Sequence, residues 1–251
     1  MKEKIRQRYG LLDALRGLAI IGVVVFHFLY DVNCIYGLNE GWYDTAFATW
    51  WRVGTCWLFA ALSGFVWHMG RENCLRRGLQ LNLLGLAITA VTAILMPEEI
   101  IYFGILNFMG CAAWLMWAWD KWMLRLPASV GMWLGLFVYS FCNSITDEVV
   151  GWSAVNLQFA VPGWLYELKF LAPLGFPHAG FVSADYFPLL PWFGLFLFGY
   201  YLYIFAQGRQ WLQQYASSDV PLLSAVGRHT LPIYLLHQPV CLGLCYLYFG
   251  H

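Results

Sequence analysis

Seven long apolar runs constrain this chain more than any other feature of its sequence. Each run is about 20 residues long, which is the length that a helix needs to cross a bilayer. The runs lie near residues 11–32, 48–69, 77–96, 100–119, 129–145, 186–206 and 229–249. Charged residues make up only 11% of the 251 residues, whereas about a quarter of a soluble chain is charged. The sequence therefore predicts an all-α fold, a polytopic transmembrane helical bundle of about seven spans, with residues 1–251 in a single domain.

The stretch between residues 146 and 185 does not follow this pattern. It is rich in proline, glycine and aromatic residues, as in Val161-Pro162-Gly163-Trp164, and proline and glycine interrupt regular helices. Three interpretations stay open: an ordered external loop, a re-entrant segment, or a short pair of helices. The bundle would have eight or more spans if parts of this stretch are embedded in the membrane.

Positive charges are distributed unevenly between the predicted loops. With the N-terminus in the cytoplasm, 12 of the 14 lysine and arginine residues lie on or near the cytoplasmic side, and only Arg52 and Lys169 lie outside. This bias predicts a cytoplasmic N-terminus. A secretory signal peptide is the competing interpretation of the basic start, but no small-residue cleavage site follows the first apolar run. We therefore expect the first helix to be retained.

Charge balance and cysteine spacing argue against two classes of partner. The 14 basic residues are matched by 14 acidic ones, so the basic excess that holds nucleic acid is absent. The seven cysteines form no C-x-x-C pair, and neither a disulfide framework nor a zinc knuckle is indicated. His237, Cys241 and Cys245 have the spacing of ligands on one helix face, but metal binding is the less favoured interpretation, and we expect no metal.

Four ionisable residues fall on one face of the first predicted helix. At about 100° per residue, the side chains of Asp13, Arg16, His27 and Asp31 project within a narrow sector. Ionisable groups at membrane depth are costly unless they are paired or face water, so they are candidate functional residues. Asp31 follows His27 by one turn, and its carboxylate is predicted to orient the imidazole as a base. An equally weighted alternative is an Asp13–Arg16 ion pair that anchors the helix, with His27 only packing.

A cluster of arginines, Arg71, Arg76 and Arg77, lies between the second and third apolar runs. Retention of positive charge in the cytoplasm is the favoured interpretation of this cluster. The alternative is a phosphate-binding mouth, because the guanidinium group donates paired hydrogen bonds to phosphate oxygens.

Several motifs resemble those of membrane-bound acyltransferases. The segment 8–19, which contains Asp13 and Arg16 and is followed by His27 ten residues after Arg16, resembles the opening of these enzymes. Leu62-Ser63-Gly64-Phe65 and the Arg76-Arg77 pair are similar to the second-span motif and basic loop of the acyltransferase-3 superfamily. Segments 103–106, 185–194 and 227–239 look more narrowly like bacterial members of the heparan-α-glucosaminide N-acetyltransferase catalytic-domain family.

This resemblance implies transfer of an acyl group, usually acetyl, from cytoplasmic acetyl-CoA to an acceptor on the far side of the membrane, often a sugar. It matches His27 to the catalytic histidine and places Arg76 or Arg77 near the CoA phosphates. The resulting hypothesis has three groups of residues. The catalytic group is His27, Asp31, Ser63 and His237; the CoA-binding group is Arg16, Arg76, Arg77 and Asp13; and the acceptor-binding group is Asp185, Trp192 and Asn107.

A second class of function stays open. A small proton-coupled transporter or exporter can use Asp13, Arg16, His27 and Asp31 as a relay, and it needs no CoA. For the enzyme, the expected partners are membrane lipid, acyl-CoA and an extracytoplasmic sugar or glycan, in the plasma membrane of a bacterium. Whether the protein forms a homodimer is left open.

Overall fold

The computed structural model describes residues 9–212 and 218–250. Lys2, Lys4, Arg6 and Arg8, which the charge distribution assigns to the cytoplasmic side, lie outside the described residues. The described helices are α1 (Gly10–Tyr30), α2 (Ala46–Gly70), α3 (Cys74–Leu95), α4 (Ile105–Met123), α5 (Ala128–Phe141), α6 (Trp164–Glu167), α7 (Leu189–Gly208), α8 (Pro221–Arg228) and α9 (Thr230–Phe249). Two short strands are present, β1 (Val149–Trp152) and β2 (Leu157–Ala160).

Each of the seven predicted apolar runs contains one long helix. Five continuous helical segments of the described chain are long and apolar enough to cross a membrane, and one of these, Ala46–Leu95, comprises α2 and α3 joined by a short 3-10 turn. The protein is therefore a predominantly helical membrane protein, while the exact number of spans stays a prediction. Helix α4 begins five residues later than its run, after Phe103 adopts a left-handed backbone conformation with φ of 54°.

The chain divides into two compact units, residues 1–59 with 206–251, and residues 60–205. In the described part of the first unit, α1 packs against α8 and α9. Side chains connect these elements: the indole of Trp51 donates a 3.2 Å hydrogen bond to the carbonyl of Gly22, and the hydroxyl of Ser224 donates a 3.0 Å bond to the carbonyl of Gly10. The two ends of the sequence thus build one helical assembly.

The second unit is centred on the packing of α3 against α4. Tryptophan and tyrosine side chains link its helices by donating to backbone carbonyls. The indole of Trp114 donates a 3.1 Å bond to Leu75, and the hydroxyl of Tyr201 donates a 2.9 Å bond to Met123. Such polar links are favourable between apolar helices because a buried donor needs a partner.

The segment between residues 146 and 185 contains an antiparallel hairpin that none of the three sequence interpretations included. Val149 pairs with Ala160 and Trp152 with Leu157, and β-branched valines favour the extended start of β1. The Trp152 ring packs within 5.6 Å of the Phe137 ring on α5. The described helices of this segment are short, so they give no support to an eighth span.

Close backbone contact between α1 and α8 depends on two glycines. A Cβ atom at Gly17 would overlap the carbonyl oxygen of Leu223, and one at Gly227 would overlap the carbonyl oxygen of Asp13. Small residues of this kind let membrane helices approach closely.

We expect Gly227→Ala to lower the free energy of unfolding by about 1–3 kcal/mol, because the added methyl group forces the two backbones apart. Gly243→Ala in α9 is the matched control, since a Cβ there meets no atom within 4 Å. Thermal unfolding of both variants in detergent is the measurement. Equal stability of the two variants would contradict the proposed backbone contact.

Candidate functional site

Two histidines from opposite ends of the chain meet in the first unit. His27 lies in α1 and His237 in α9. Their ring centroids are 4.9 Å apart and the ring planes meet at 67°. Both side chains are half-buried. The predicted catalytic histidine thus has a second imidazole as its neighbour, which its position in the sequence does not reveal.

Hydrogen bonding assigns the tautomer of His237. Its Nδ1 lies 2.5 Å from the carbonyl oxygen of Tyr234, and because a carbonyl oxygen only accepts, Nδ1 carries the proton. In the neutral form of this ring the other nitrogen, Nε2, has a lone pair. This atom is buried and has no hydrogen-bond partner among the described residues. A neutral imidazole with an unused lone pair is a candidate proton acceptor.

Asp31 contacts α9 through a hydrogen bond. Its side chain is fully buried, and Oδ1 accepts a 2.8 Å hydrogen bond from the amide Nε2 of Gln238. The ring contacts of His27 are with Phe26 and His237. That Asp31 orients His27 stays a prediction, and the neighbouring helix supplies an amide donor that the carboxylate binds. Asp31 therefore contacts Gln238, the residue next to His237.

The last turn of α1 is unusual at this point. Residues Asp31–Ile35 form a π-helical turn, in which the amide of Tyr36 donates to the carbonyl of Asp31 at 2.9 Å. Single π turns are frequent at functional sites because they shift side chains off the α-helical register. Here the turn begins at Asp31, the residue that carries the buried carboxylate.

At the other end of α1, Asp13 and Arg16 form an ion pair with 3.2 Å between Oδ1 and Nη1. This contact confirms the predicted Asp13–Arg16 ion pair; its role as a helix anchor stays a prediction. About a third of the Arg16 side chain is exposed, 35%, and its predicted role in CoA binding stays a prediction. Between Arg16 and His27 all ten residues of α1 are apolar.

A second polar cluster lies in the other unit and was not predicted. Asp120 in α4 is 1% exposed, accepts a 2.6 Å hydrogen bond from the hydroxyl of Tyr200, and forms an ion pair with Arg71. The ring of His68 stacks between the rings of Tyr200 and Tyr203, with centroid distances of 4.2 and 4.6 Å. In the sequence, Asp120 stands out as the only acidic residue between Glu99 and Asp147, and this isolation could have marked it as a candidate. Because Lys121 follows it, however, it resembled an ordinary charged residue at the end of a helix.

The remaining predicted catalytic and CoA-binding residues lie in this second unit. Ser63 lies in α2 next to Gly64, and a Cβ at Gly64 would overlap the carbonyl oxygen of Phe196 in α7. The motif around Ser63 therefore has a clear packing role. Arg76 and Arg77 are exposed on the first turn of α3, as a phosphate-binding pair requires.

The three predicted acceptor-binding residues have structural contacts in the second unit. The side chain of Asp185 lies against the N-terminus of α4, with Oδ2 3.5 Å from the amide nitrogen of Ile105. A negative charge is favourable at this end of a helix. Asn107 donates to the carbonyl of Asn82 at 3.3 Å. The Trp192 ring lies 4.7 Å from the ring of Phe187 and 5.7 Å from that of Tyr139. Acceptor binding by these residues stays a prediction, and their contacts favour packing.

Tyr186, beside Asp185, is a neutral donor. Burial, with a smaller contribution from Tyr166, raises the pKa of Tyr186, and its hydroxyl donates to the carbonyl of Ala172 at 2.5 Å. The phenol therefore holds the loop before α7 in place and does not act as a base.

One groove of the first unit reaches His237. It has a volume of about 640 Å³ and lies between α1 and α9, lined by apolar atoms of residues that include Val24, Phe28, Leu236 and Val240. A sugar or a phosphate has no hydrogen-bond partner in such a lining. Polar reactants must therefore reach the two histidines from another side. Among the described residues no group of histidine, cysteine and acidic side chains is arranged to hold a metal ion.

Comparison with known proteins gives one match. The sequence model of the family described as "Heparan-alpha-glucosaminide N-acetyltransferase, catalytic" matches residues 8–239, which include both histidines and both buried carboxylates. No curated protein and no solved structure matches the chain.

We expect Gln238→Leu to lower the free energy of unfolding by about 1–3 kcal/mol, because the buried Asp31 carboxylate loses a hydrogen bond. Gln80→Leu on the exposed face of α3 is the control and should change stability by less than about 0.5 kcal/mol. Thermal unfolding in detergent measures both. In an Asp31→Asn background the effect of Gln238→Leu should shrink, and an undiminished effect would show that the two side chains are not coupled.

Proposed function

The chain belongs to the heparan-α-glucosaminide N-acetyltransferase catalytic family, and on this premise we propose that it transfers an acetyl group from cytoplasmic acetyl-CoA to an extracytoplasmic amino sugar or glycan. Membership of this family implies acetyltransferase activity. The observation that carries the proposal is the pairing of His27 and His237, 4.9 Å apart, on two membrane-spanning helices. The protein would lie in the plasma membrane with its N-terminus in the cytoplasm.

Acetyl transfer requires a group that accepts the proton of the attacking amine or hydroxyl. His27 takes this proton as the acceptor attacks the thioester carbonyl carbon; the carbon–sulfur bond then breaks, and the proton leaves with the CoA thiol. In the other route a ring nitrogen of His27 attacks the thioester carbonyl carbon, the carbon–sulfur bond breaks, and CoA leaves as the thiol with the proton of the imidazole N–H. The acceptor then attacks the acetyl group on His27, and its proton returns to the ring as the carbon–nitrogen bond breaks. General acid–base catalysis of this kind contributes about 10²–10⁴ in rate.

His237 supports His27 in either route. Its Nδ1 proton is committed to the carbonyl of Tyr234, so its Nε2 is available to receive a proton. The adjacent Gln238 is bound to Asp31, which restrains α9 where the two rings meet. Asp31 is thus a positioning residue for His237, and we retain it in the catalytic group with this altered role.

The positive residues supply the CoA-binding function. Arg76 and Arg77 are exposed and attract phosphate groups, as predicted from their position next to a span. Arg16 shares its charge with Asp13 and contributes less positive potential. No metal takes part in this proposal.

The transporter alternative needs a continuous polar relay along α1. The contacts divide the predicted stripe into two parts, because Asp13 and Arg16 pair with each other and Asp31 binds Gln238. The ten apolar residues between Arg16 and His27 span about 16 Å of helix rise. On α1 this interval has no proton carrier, so the geometry favours the transferase.

The decisive measurement is release of free CoA from acetyl-CoA by the purified protein in detergent, with glucosamine as acceptor. We expect His27→Ala to reduce turnover by about 10² or more. His237→Ala should also reduce it, while the exposed His229 provides the matched control in His229→Ala. Wild-type turnover in His27→Ala, with intact membrane insertion, would refute the assignment of His27.

The two chemical routes give different products when the acceptor is omitted. If His27 acts as nucleophile, intact-protein mass spectrometry should detect one added acetyl group that is lost in His27→Ala. If His27 acts as base, the wild-type mass should stay unchanged without acceptor, and CoA should be released only after the acceptor is added.

A further inference from the structure

A buried carboxylate holds one arginine at the end of α2. Asp120 is 1% exposed, whereas half of the Arg71 side chain, 50%, is exposed. The Asp120 carboxylate pairs with Arg71 through Oδ2 and accepts the Tyr200 hydroxyl at Oδ1, 2.6 Å away. One edge of the Arg71 guanidinium is therefore tied to the protein interior.

This attachment leaves the rest of the guanidinium available. A guanidinium has five N–H donors in a rigid plane, and Asp120 engages only its Nη2 edge. The Trp67 ring lies 5.9 Å from the central carbon of the group. A surface arginine normally samples many rotamers and loses that freedom when it binds. Because Asp120 holds its guanidinium, Arg71 has lost part of this rotamer freedom before any ligand binds.

A second guanidinium, that of Arg77, lies against the residue before Arg71. The Nη1 atom of Arg77 lies against Gly70, the residue before Arg71, at the position that a side chain of residue 70 would occupy. Arg76 and Arg77 are both exposed. Together with Arg71 they provide three positive charges against the two negative charges of Asp120 and Glu72. The turn between α2 and α3 is therefore a positively charged surface with one rigid member.

We propose that Arg71 is the fixed phosphate ligand for the CoA donor, and that Asp120 and Tyr200 are its positioning residues. Arg76 and Arg77 attract the phosphate groups by charge, and Arg71 binds one of them through its preset N–H donors. This inference rests on the proposed function, because its ligand is the acyl donor of that reaction. It adds Arg71, which Asp120 holds in place, to the predicted pair of Arg76 and Arg77. It also assigns a role to the buried Asp120.

Two opposing effects of Asp120 determine how its substitution should act. Its negative charge weakens the attraction of the site for phosphate, while its contact with Arg71 removes side-chain disorder. Asp120 is buried behind Arg71, and the surface keeps a net positive charge from Arg76 and Arg77. We therefore expect the ordering of Arg71 to affect phosphate binding more than the negative charge of Asp120 does.

The test compares two donors, acetyl-CoA and S-acetyl-pantetheine, which carries the same thioester without phosphate groups. Arg71→Ala should raise the KM for acetyl-CoA about tenfold or more and leave the KM for S-acetyl-pantetheine unchanged. Arg71→Lys should have an intermediate effect, since lysine keeps the charge and loses the paired donors. Arg125→Ala is the control. Arg125 is exposed, its guanidinium lies over the ring of Trp122, and among the described residues it forms no ion pair with a carboxylate.

Asp120→Asn should raise the KM for acetyl-CoA severalfold, and Tyr200→Phe should act in the same direction without changing charge. If Asp120→Asn fails to fold, Tyr200→Phe still tests the positioning role. An equal effect of Arg71→Ala on both donors would show a structural role only, and an unchanged KM for acetyl-CoA would also overturn the proposal. Tighter binding in Asp120→Asn would overturn the positioning role of Asp120.

Direct binding separates this inference from the proposed function. The Kd of CoA, measured by calorimetry on the full chain in detergent, should rise in Arg71→Ala and stay unchanged in Arg125→Ala. If wild-type protein transfers no acetyl group but binds CoA through Arg71, the proposed function fails and the phosphate site stands. If wild-type protein does not bind CoA, the phosphate site fails.

Discussion

The cost of burying a charge in an apolar helical protein organises both polar sites. A carboxylate without hydrogen-bond partners is unfavourable by several kcal/mol in such surroundings. The two fully buried acids are each bound by a polar side chain from another helix. Asp31 is bound by Gln238, and Asp120 by Arg71 and Tyr200. Each pairing specifies which helices meet and in which rotation, so the acids determine the geometry of their surroundings as well as its charge.

Close helix packing places these pairs. Gly17 and Gly227 allow the backbones of α1 and α8 to touch, and α9 follows α8 directly along the chain. The same assembly brings His237 to His27. In membranes, where lipid and apolar side chains are equally hydrophobic, tight packing and interhelical hydrogen bonds are what distinguish one arrangement from another. The contact between His27 and His237 therefore depends on glycines that carry no chemistry.

In the proposed reaction, chemistry and donor binding depend on different kinds of residue. The first unit supplies two imidazoles with one defined tautomer, and the second supplies exposed arginines with one held by a buried acid. Family membership connects these groups to acetyl transfer. The groove beside His237 is apolar, so it offers no hydrogen-bond partner to polar reactants.

The sequence by itself determined the features that depend on local pattern. Apolar runs predicted the seven long helices, the three-residue spacing predicted the Asp13–Arg16 ion pair, and the motifs from Arg8 to Pro239 identified the family. Tertiary structure alone decided which distant groups meet. It paired His27 with His237, brought Gln238 to Asp31, formed a hairpin after α5 and placed Arg71 against Asp120. The physical reason is that helix formation follows from the period of neighbouring residues, whereas a buried polar group takes whichever partner the packing of remote helices brings within hydrogen-bond distance.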